Sequence, residues 1–485
     1  MKAWKRVRWI LGLLILDILT LTQRTQADLS ASSYTNVILL LVDDLGYECL
    51  GANGSQSYRT PVVDRLAREG MRFEHAYVMP NCTPTRVALM TGKVNQRNYV
   101  HFGVLESKQK TFGHLFRDAG HATAVVGKWQ LGGSLANDTP RHFGFEEHCL
   151  YHIRGVPKPQ GKHQDGNSSR YINPGLAING EGKRYGDNAY APDLCNEFAL
   201  DFISRHQDRP FFLYYPMMLT HAPFDPTPDS SDYPGKNGPA RSREQHYRDM
   251  VTYNDKLIGK LMAKLEELHL SDRTLVLFLG DNGTPGGFTS KLSGDETILA
   301  SKGKTTRAGM HVPLVAYWPG NIPAGRVCQD LVDVTDILPT LCAAAGVDLP
   351  SDWIVDGVSF LPQLHGQPGT PRPWIYRWFN PMMAKWNGTV EMAFDKDFKL
   401  YRTGEFYDWR VDPEEKTPLM ATSLTAEAEA ASKKLQAAMD QFQNQRPPEI
   451  EAIARNLAAE DAAKRPTDRS RKTRRAAQRK PGVDP

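Results

Sequence analysis

Two apolar runs of nearly the same shape constrain this chain more than anything else in it. Val37-Ile38-Leu39-Leu40-Leu41-Val42 carries no polar residue and stops at Asp43-Asp44. Leu275-Val276-Leu277-Phe278-Leu279-Gly280 stops in the same way at Asp281-Asn282-Gly283. A short aliphatic run without polar alternation is the pattern of a strand buried on both faces, and such strands belong to parallel sheets covered by helices on each side. Further strand candidates at 123–126, 210–215 and 312–317 are separated by helical stretches. Thr60-Pro61 opens one with a cap and an early proline, and Leu257, Leu261, Leu265 and Leu268 recur at helical spacing within 247–268. The alternation predicts an α/β domain built on a large, mostly parallel sheet.

Chemically capable residues stand where the runs stop. Asp43 and Asp44 follow the first, Lys128 the second, His221 comes just past 210–215, and Asp281 follows 274–279. Ligands of open α/β sheets bind outside the carboxyl ends of the strands, so these side chains are expected along one edge. Asp43, Asp44, Asp281 and Asn282 offer oxygen and no sulfur. That donor set suits Ca²⁺ or Mg²⁺ rather than zinc, and carboxylates so close repel unless a cation lies between them. Cys82, four residues before Arg86, is a candidate nucleophile beside a fixed cation.

The segment Cys82-Thr83-Pro84-Thr85-Arg86, followed by Leu89 and Thr91-Gly92, resembles the Cys-x-Pro-x-Arg signature of the sulfatase family. The likeness runs from about Asn36 to about Glu415 and takes in Gly127-Lys128-Trp129, Lys302-Gly303-Lys304-Thr305-Thr306 and Asp336-Ile337-Leu338-Pro339-Thr340. It implies an alkaline-phosphatase-like fold, a mixed and mostly parallel sheet flanked by helices, with a smaller C-terminal α+β subdomain. It implies one Ca²⁺ held by Asp43, Asp44, Asp281, Asn282 and the side chain at position 82. Cys82 itself would be oxidised to formylglycine by a separate formylglycine-generating enzyme. The hydrated aldehyde offers one hydroxyl for attack on sulfur and a second through which sulfate is expelled, covalent catalysis with metal activation. Arg86 would hold that nucleophile, and Lys128 and Lys302 the sulfate oxygens, with Lys304 a competing cation for the second place. His221 would serve the leaving oxygen. One position departs from the pattern. The family's Gly-Lys-Trp-His-Leu-Gly reads Gly127-Lys128-Trp129-Gln130-Leu131-Gly132 here. The missing histidine is the one usually assigned to deprotonate the diol, and glutamine takes no proton at neutral pH. Gln130 therefore implies another base such as Asp281 or water, a slower release, or altered chemistry.

The formal charge of +4 points to no nucleic-acid partner. Nine Lys and Arg residues crowd into 464–480 and four into 2–8, and without those segments the body is mildly acidic. Residues 1–27 read as a secretory signal, with Lys2 to Arg8, an apolar run to about Leu21 and the small-residue segment Thr25-Gln26-Ala27. Export follows as the expectation, to the periplasm or outside, or to a lysosomal or ER-derived compartment in a eukaryote, with no stable membrane span. The six cysteines include no Cys-x-x-Cys pair, which excludes zinc-ribbon and thioredoxin readings. The expected division is a catalytic domain at 28–366, a small antiparallel sheet with a helix at 367–446, and an Ala-rich, then basic, disordered tail at 447–485. Trp374, Tyr376, Trp378, Phe379 and Trp386 are candidates for stacking on sugar rings or for packing between domains.

Three functions fit these residues. The first is an exported, calcium-dependent sulfatase acting on a sulfated small molecule or, more specifically, a sulfated glycan. The second is a phosphodiester or phosphate monoester hydrolase of the same superfamily. The third is a non-catalytic sulfated-glycan-binding protein, which Gln130 alone favours.

Overall fold

A computed structural model describes residues 34–132, 139–151, 153, 170–381 and 388–464. The expected signal segment, Trp386 and the basic end of the chain lie outside the described residues. Sixteen strands run in chain order: β1 Asn36–Val42, β2 Met71–Tyr77, β3 Ala122–Lys128, β4 Glu147–Tyr151, β5 Gly175–Ile178, β6 Glu181–Arg184, β7 Phe211–Met217, β8 Thr274–Gly280, β9 Thr289–Lys291, β10 Thr297–Leu299, β11 Leu314–Tyr317, β12 Arg326–Asp333, β13 Ile375–Phe379, β14 Val390–Phe394, β15 Phe398–Tyr401 and β16 Phe406–Asp408.

Ten of them form one sheet in the order β12-β2-β11-β8-β1-β7-β3-β4-β5-β6. Its centre, β8-β1-β7-β3-β4, is parallel throughout. β11 runs antiparallel between β8 and β2, and β5 and β6 add an antiparallel margin at the other side. The two apolar runs that dominate the sequence are therefore neighbours, and Val42 pairs with Gly280 in register.

The pleat explains why both runs lack polar residues. In β1, Val37, Leu39 and Leu41 enter one hydrophobic core while Ile38, Leu40 and Val42 enter another on the opposite face. The first core is roofed by helices Cys82–Thr91, Phe112–Asp118 and Ile337–Ala345. The second is covered by Pro61–Glu69, Ala191–Arg205 and Arg243–Glu267. Among the described residues no helix is long and apolar enough to cross a membrane.

The C-terminal part is a four-stranded antiparallel sheet, β13-β14-β15-β16, with helix Ala426–Asp440 packed on it through Ala431, Leu435 and Ala438. A seam of Tyr77, Met310, Leu331, Phe394 and Trp409 joins it to the main sheet. One expectation changes here. Residues 448–464, expected as the start of a disordered tail, form a helix whose Ile450, Ala454 and Leu457 are buried. These residues recur at i, i+4 and i+7, one apolar stripe in an otherwise polar stretch. Of the two readings of the C-terminal aromatics, packing is the one met by the four that are described. Tyr376 stacks on Phe442 with ring centroids 4.1 Å apart, and Arg446 caps Trp378 at 4.5 Å. Phe379 is buried and Trp374 meets the edge of Phe442.

Candidate active site

The carboxyl ends of β1, β3, β7 and β8 bring most of the expected residues together. Asp43 and Asp44 continue β1, and Asp281 and Asn282 continue β8. The turn at Asp44 is left-handed (φ 62°), a conformation Asp adopts more readily than most residues. Its carbonyl accepts from Tyr247 Oη at 2.9 Å and Thr220 Oγ1 at 3.1 Å, and its N–H donates to Asp281 Oδ1 at 2.9 Å. The two acidic loops are thus locked to each other across 237 residues of sequence. Lys128 is seated by Gly127 (φ 112°), where a Cβ would lie 2.2 Å from the Pro216 carbonyl oxygen.

Cys82 is the first residue of its helix and Arg86 lies one turn on, so both side chains share a face. Thr85 anchors the entry by bonding the Met79 backbone through its hydroxyl at 3.1 Å. Sγ of Cys82 and carboxylate oxygens of Asp43 and Asp281 lie within 4.8 Å of one another, as do ligand atoms of Asp43, Asp44 and His221.

Three cations bind these acids. Arg86 Nη2 is 2.8 Å from Asp281 Oδ2, Lys128 Nζ is 2.6 Å from Asp43 Oδ2, and Lys302 Nζ is 2.6 Å from Asp44 Oδ2. Lys304 is exposed and makes no such contact among the described residues, so the cation in the pocket is Lys302. The loop carrying Lys302 is pinned from the C-terminal sheet. Lys399, fully buried, donates to the Thr305 carbonyl at 2.5 Å and to Glu415 Oε1 at 2.7 Å.

Burial raises the Asp43 carboxyl's pKa, but Lys128, then His221, Arg86 and Lys302, outweigh it and hold it well below the usual carboxylate range. Burial, together with the charge of Asp43, pushes Asp281 the other way. Burial also raises the Cys82 thiol, against the pull of Lys128, so an unmodified Cys82 is a thiol and a poor nucleophile. Burial lowers His221.

The residues present fit a hard divalent cation. Asp43 Oδ1 and Asn282 Oδ1 are buried with no hydrogen-bond partner among the described residues. The Asn282 amide spends its N–H groups on Asp44 Oδ1 and the Gly283 carbonyl, which leaves its oxygen for a ligand role. Buried oxygens are normally paired, so two orphans beside three carboxylates mark a place for a cation with oxygen ligands.

Gln130 is buried, left-handed (φ 55°), and its Oε1 also lacks a partner among the described residues. His221 sits across the pocket with Nε2 4.0 Å from Asp44 Oδ2. Two residues escaped the sequence reading. Tyr151 ends β4 in register with Lys128, and Arg170 contacts both Tyr151 and His221. Tyr151 follows an apolar strand just as the acids do, a signal that was available; Arg170 carries no local mark. All six cysteines are free thiols.

A model of the sulfatase family matches residues 35–347, and one described as N-sulphoglucosamine sulphohydrolase, C-terminal, matches 302–445. N-acetylgalactosamine-6-sulfatase of Canis lupus familiaris is 33% identical over 386 residues, covering 74% of this chain and 71% of the relative. Arylsulfatase A of Bos taurus is 34% identical over 384 residues, covering 74% and 73%. The crystal structure of Ps i-CgsB in complex with k-i-k-neocarrahexaose superposes with a TM-score of 0.71 at 25% identity, over 88% of this chain and 98% of that one. A second solved structure, of a protein in complex with its substrate D-Glucosamine-2-N, 6-O-disulfate, shares the fold with a TM-score of 0.64 at 21% identity, over 85% and 98%.

Proposed function

The chain belongs to the sulfatase family and is a sulfuric ester hydrolase; on that premise we propose that it is an exported, calcium-dependent enzyme that removes sulfate from a carbohydrate through a formylglycine made from Cys82. One observation carries the proposal. Asp43, Asp44, Asp281 and Asn282, from two strand ends far apart in sequence, meet Cys82, Arg86, Lys128 and Lys302 in a single buried pocket.

Asp43, Asp44, Asp281 and Asn282 would hold Ca²⁺. Bound beside an aldehyde hydrate at position 82, the ion would supply acidification of the nucleophilic hydroxyl and positive charge for the sulfuryl group. The rest falls to the chain's own side chains. Arg86 and Lys128, both fully buried, set positive charge directly against Asp281 and Asp43. Lys128 and Lys302 present ammonium groups toward the sulfuryl oxygens, so charge that grows in the transition state meets fixed cations. Three acids against three basic side chains leave the pocket positive once a divalent ion is added, as an anionic substrate requires. His221, on the less buried side, would hand a proton to the departing sugar oxygen once its Nε2 is protonated. Gln130 offers its unpartnered Oε1 as an acceptor that orients a hydroxyl. It takes no proton, so deprotonation falls to water or a neighbouring carboxylate.

The carbohydrate part is supported by relatives named N-acetylgalactosamine-6-sulfatase and by superposed structures in complex with k-i-k-neocarrahexaose and with D-Glucosamine-2-N, 6-O-disulfate. Export is supported by residues 2–27. The test begins with mass spectrometry of the peptide containing Cys82, looking for the aldehyde. It continues with turnover of an aryl sulfate, an aryl phosphodiester and a panel of sulfated sugars side by side. Aldehyde-bearing protein that releases no sulfate from any of them refutes the proposal, and a preference for the phosphodiester replaces the ester class.

A further inference from the structure

Arg170 stands at the rim of the pocket and has no part in that chemistry. Its Nη1 is 3.1 Å from His221 Nδ1 and 3.4 Å from Tyr151 Oη, and its Cζ lies 5.7 Å from the centre of the Tyr151 ring. Tyr151 pairs with Lys128 across the sheet, and His221 Nε2 faces Asp44 at 4.0 Å. The guanidinium thereby closes a ring of side chains running Asp43, Lys128, Tyr151, Arg170, His221, Asp44.

It differs from the other three cations in one respect. Arg86, Lys128 and Lys302 each have a carboxylate oxygen within 2.8 Å. Arg170, although half-buried, forms no ion pair among the described residues. Its contact with His221 uses little of its donor capacity. The same Nδ1 lies 2.5 Å from the Ala222 carbonyl, which only accepts, and a nitrogen that donates there has no lone pair for a guanidinium. Nε and Nη2 make no hydrogen bond among the described residues. These two nitrogens form the side-on fork of an arginine, the edge that takes a carboxylate or a sulfate with two parallel N–H bonds. Asp43 acts on this partly desolvated cation only from a distance, so an anion that meets the guanidinium directly is favoured.

Position says which anion. The reacting sulfate belongs between Lys128, Lys302 and the acidic cluster. Arg170 is one imidazole away from Asp44, beyond His221, on the side where the leaving sugar must lie. We propose that the Nε–Nη2 edge of Arg170 binds a second oxyanion, a carboxylate or a further sulfate, on the sugar that carries the scissile ester or on its neighbour. The enzyme thereby selects polyanionic saccharides over singly sulfated ones. The proposal rests on the sulfatase reading of the pocket and adds the substrate class to it.

The test is the ratio of kcat/KM values for full-length, formylglycine-bearing wild type, Arg170→Gln and Arg170→Lys. Four substrates serve: 4-nitrophenyl sulfate, a neutral monosulfated sugar, a disulfated sugar, and a monosulfated disaccharide with a uronic acid. Arg170→Gln is expected to lose about 30-fold more on a doubly anionic sugar than on the neutral one, the range of a charge-assisted hydrogen bond. The extra loss falls in KM, because the contact is away from the reacting atoms. Arg170→Lys keeps the charge without the fork and recovers part of it. The disulfated and uronic-acid arms separate sulfate from carboxylate as the group bound. Equal losses on all four substrates overturn the proposal, since Arg170 then acts on His221 or on the reacting sulfate; so does no differential loss at all. Binding of the disulfated sugar to Cys82→Ala protein, measured calorimetrically with and without Arg170→Gln, gives the same comparison without turnover. A wild type that carries the aldehyde yet is inactive on every arm defeats the sulfatase reading itself, a result distinct from a lost ratio.

Discussion

Arg86 is the charge on which the stability of the pocket turns. Its side chain has no solvent exposure, its Nη2 lies 2.8 Å from Asp281 and 3.8 Å from Asp43, and its Nη1 donates to the Lys128 carbonyl at 3.3 Å. Removing one member of a buried ion pair costs about 3–5 kcal/mol, because the partner stays buried and uncompensated. Arg86 faces two acids, so Arg86→Met, which keeps most of the stem's volume, is expected near the top of that range, about 4–5 kcal/mol. Asp281→Asn leaves the guanidinium without its nearer partner and is expected to cost about 3 kcal/mol. The double variant removes both charges, and Lys128 still pairs with Asp43. Its cost is expected to fall about 2 kcal/mol short of the sum of the two singles, the coupling typical of side chains in one buried network. Urea unfolding at about pH 8.5, above the value of about 7 to which burial raises the Asp281 carboxyl, followed by tryptophan fluorescence, measures all four corners of the cycle. A chelator is included so that divalent ions do not mask the effect. Singles that cost under about 1 kcal/mol, or a cycle additive within about 0.5 kcal/mol, refute the view that Arg86 and Asp281 compensate each other.

Calcium should stabilise the chelator-treated protein by about 2.7 kcal/mol at a hundredfold excess over its dissociation constant, and Asp44→Asn should lose most of that gain; a wild-type melting curve unmoved by Ca²⁺ argues against the metal site. Gln130→His should speed sulfate release by restoring a group that takes a proton, visible as a smaller burst before the steady state; unchanged burst and steady-state rates place residue 130 outside the reaction. Lys399 has its pKa pushed down to about 8 by burial, against the pull of Glu415. An unfolded lysine titrates near 10.4, so between about pH 8 and 10.4 the unfolded chain binds more protons and folding gains stability as pH rises. Wild type should gain about 3 kcal/mol over Lys399→Met across that window, and a constant difference between the two unfolding midpoints contradicts the buried ammonium. Lys399→Met should also raise KM for an aryl sulfate, because the loop bearing Lys302 loses its tie at Thr305.

Much of this molecule is written locally. The runs at 37–42 and 274–279 announce buried parallel strands because both faces of the sheet are covered, and every residue must be apolar. The acids, Lys128 and His221 are legible as site residues because each follows such a run, and Cys82 and Arg86 because one helical turn separates them. Strands with a polar face are harder to see. β2 mixes Arg72, Glu74 and His75 among apolar residues, β6 is exposed throughout, and β12 is half polar. The helix at 448–464 hides its single apolar stripe in an Ala-rich, charged stretch, and the C-terminal aromatics suit a sugar surface and a core equally well until their neighbours are known.

The amino-acid sequence by itself determined the chemistry available to this protein: hard oxygen donors, a cysteine one helical turn before an arginine, lysines at strand and loop ends, and a glutamine that takes no proton. Tertiary structure alone decided who meets whom. Setting β1 between β7 and β8 puts Asp44 beside Asp281, and the side chains that meet Arg170 Nη1 come from the end of β4 and the loop after β7. Residue type and spacing reach only a few positions along a chain, whereas the distances that set charge, pKa and ligand fit arise from packing between segments hundreds of residues apart.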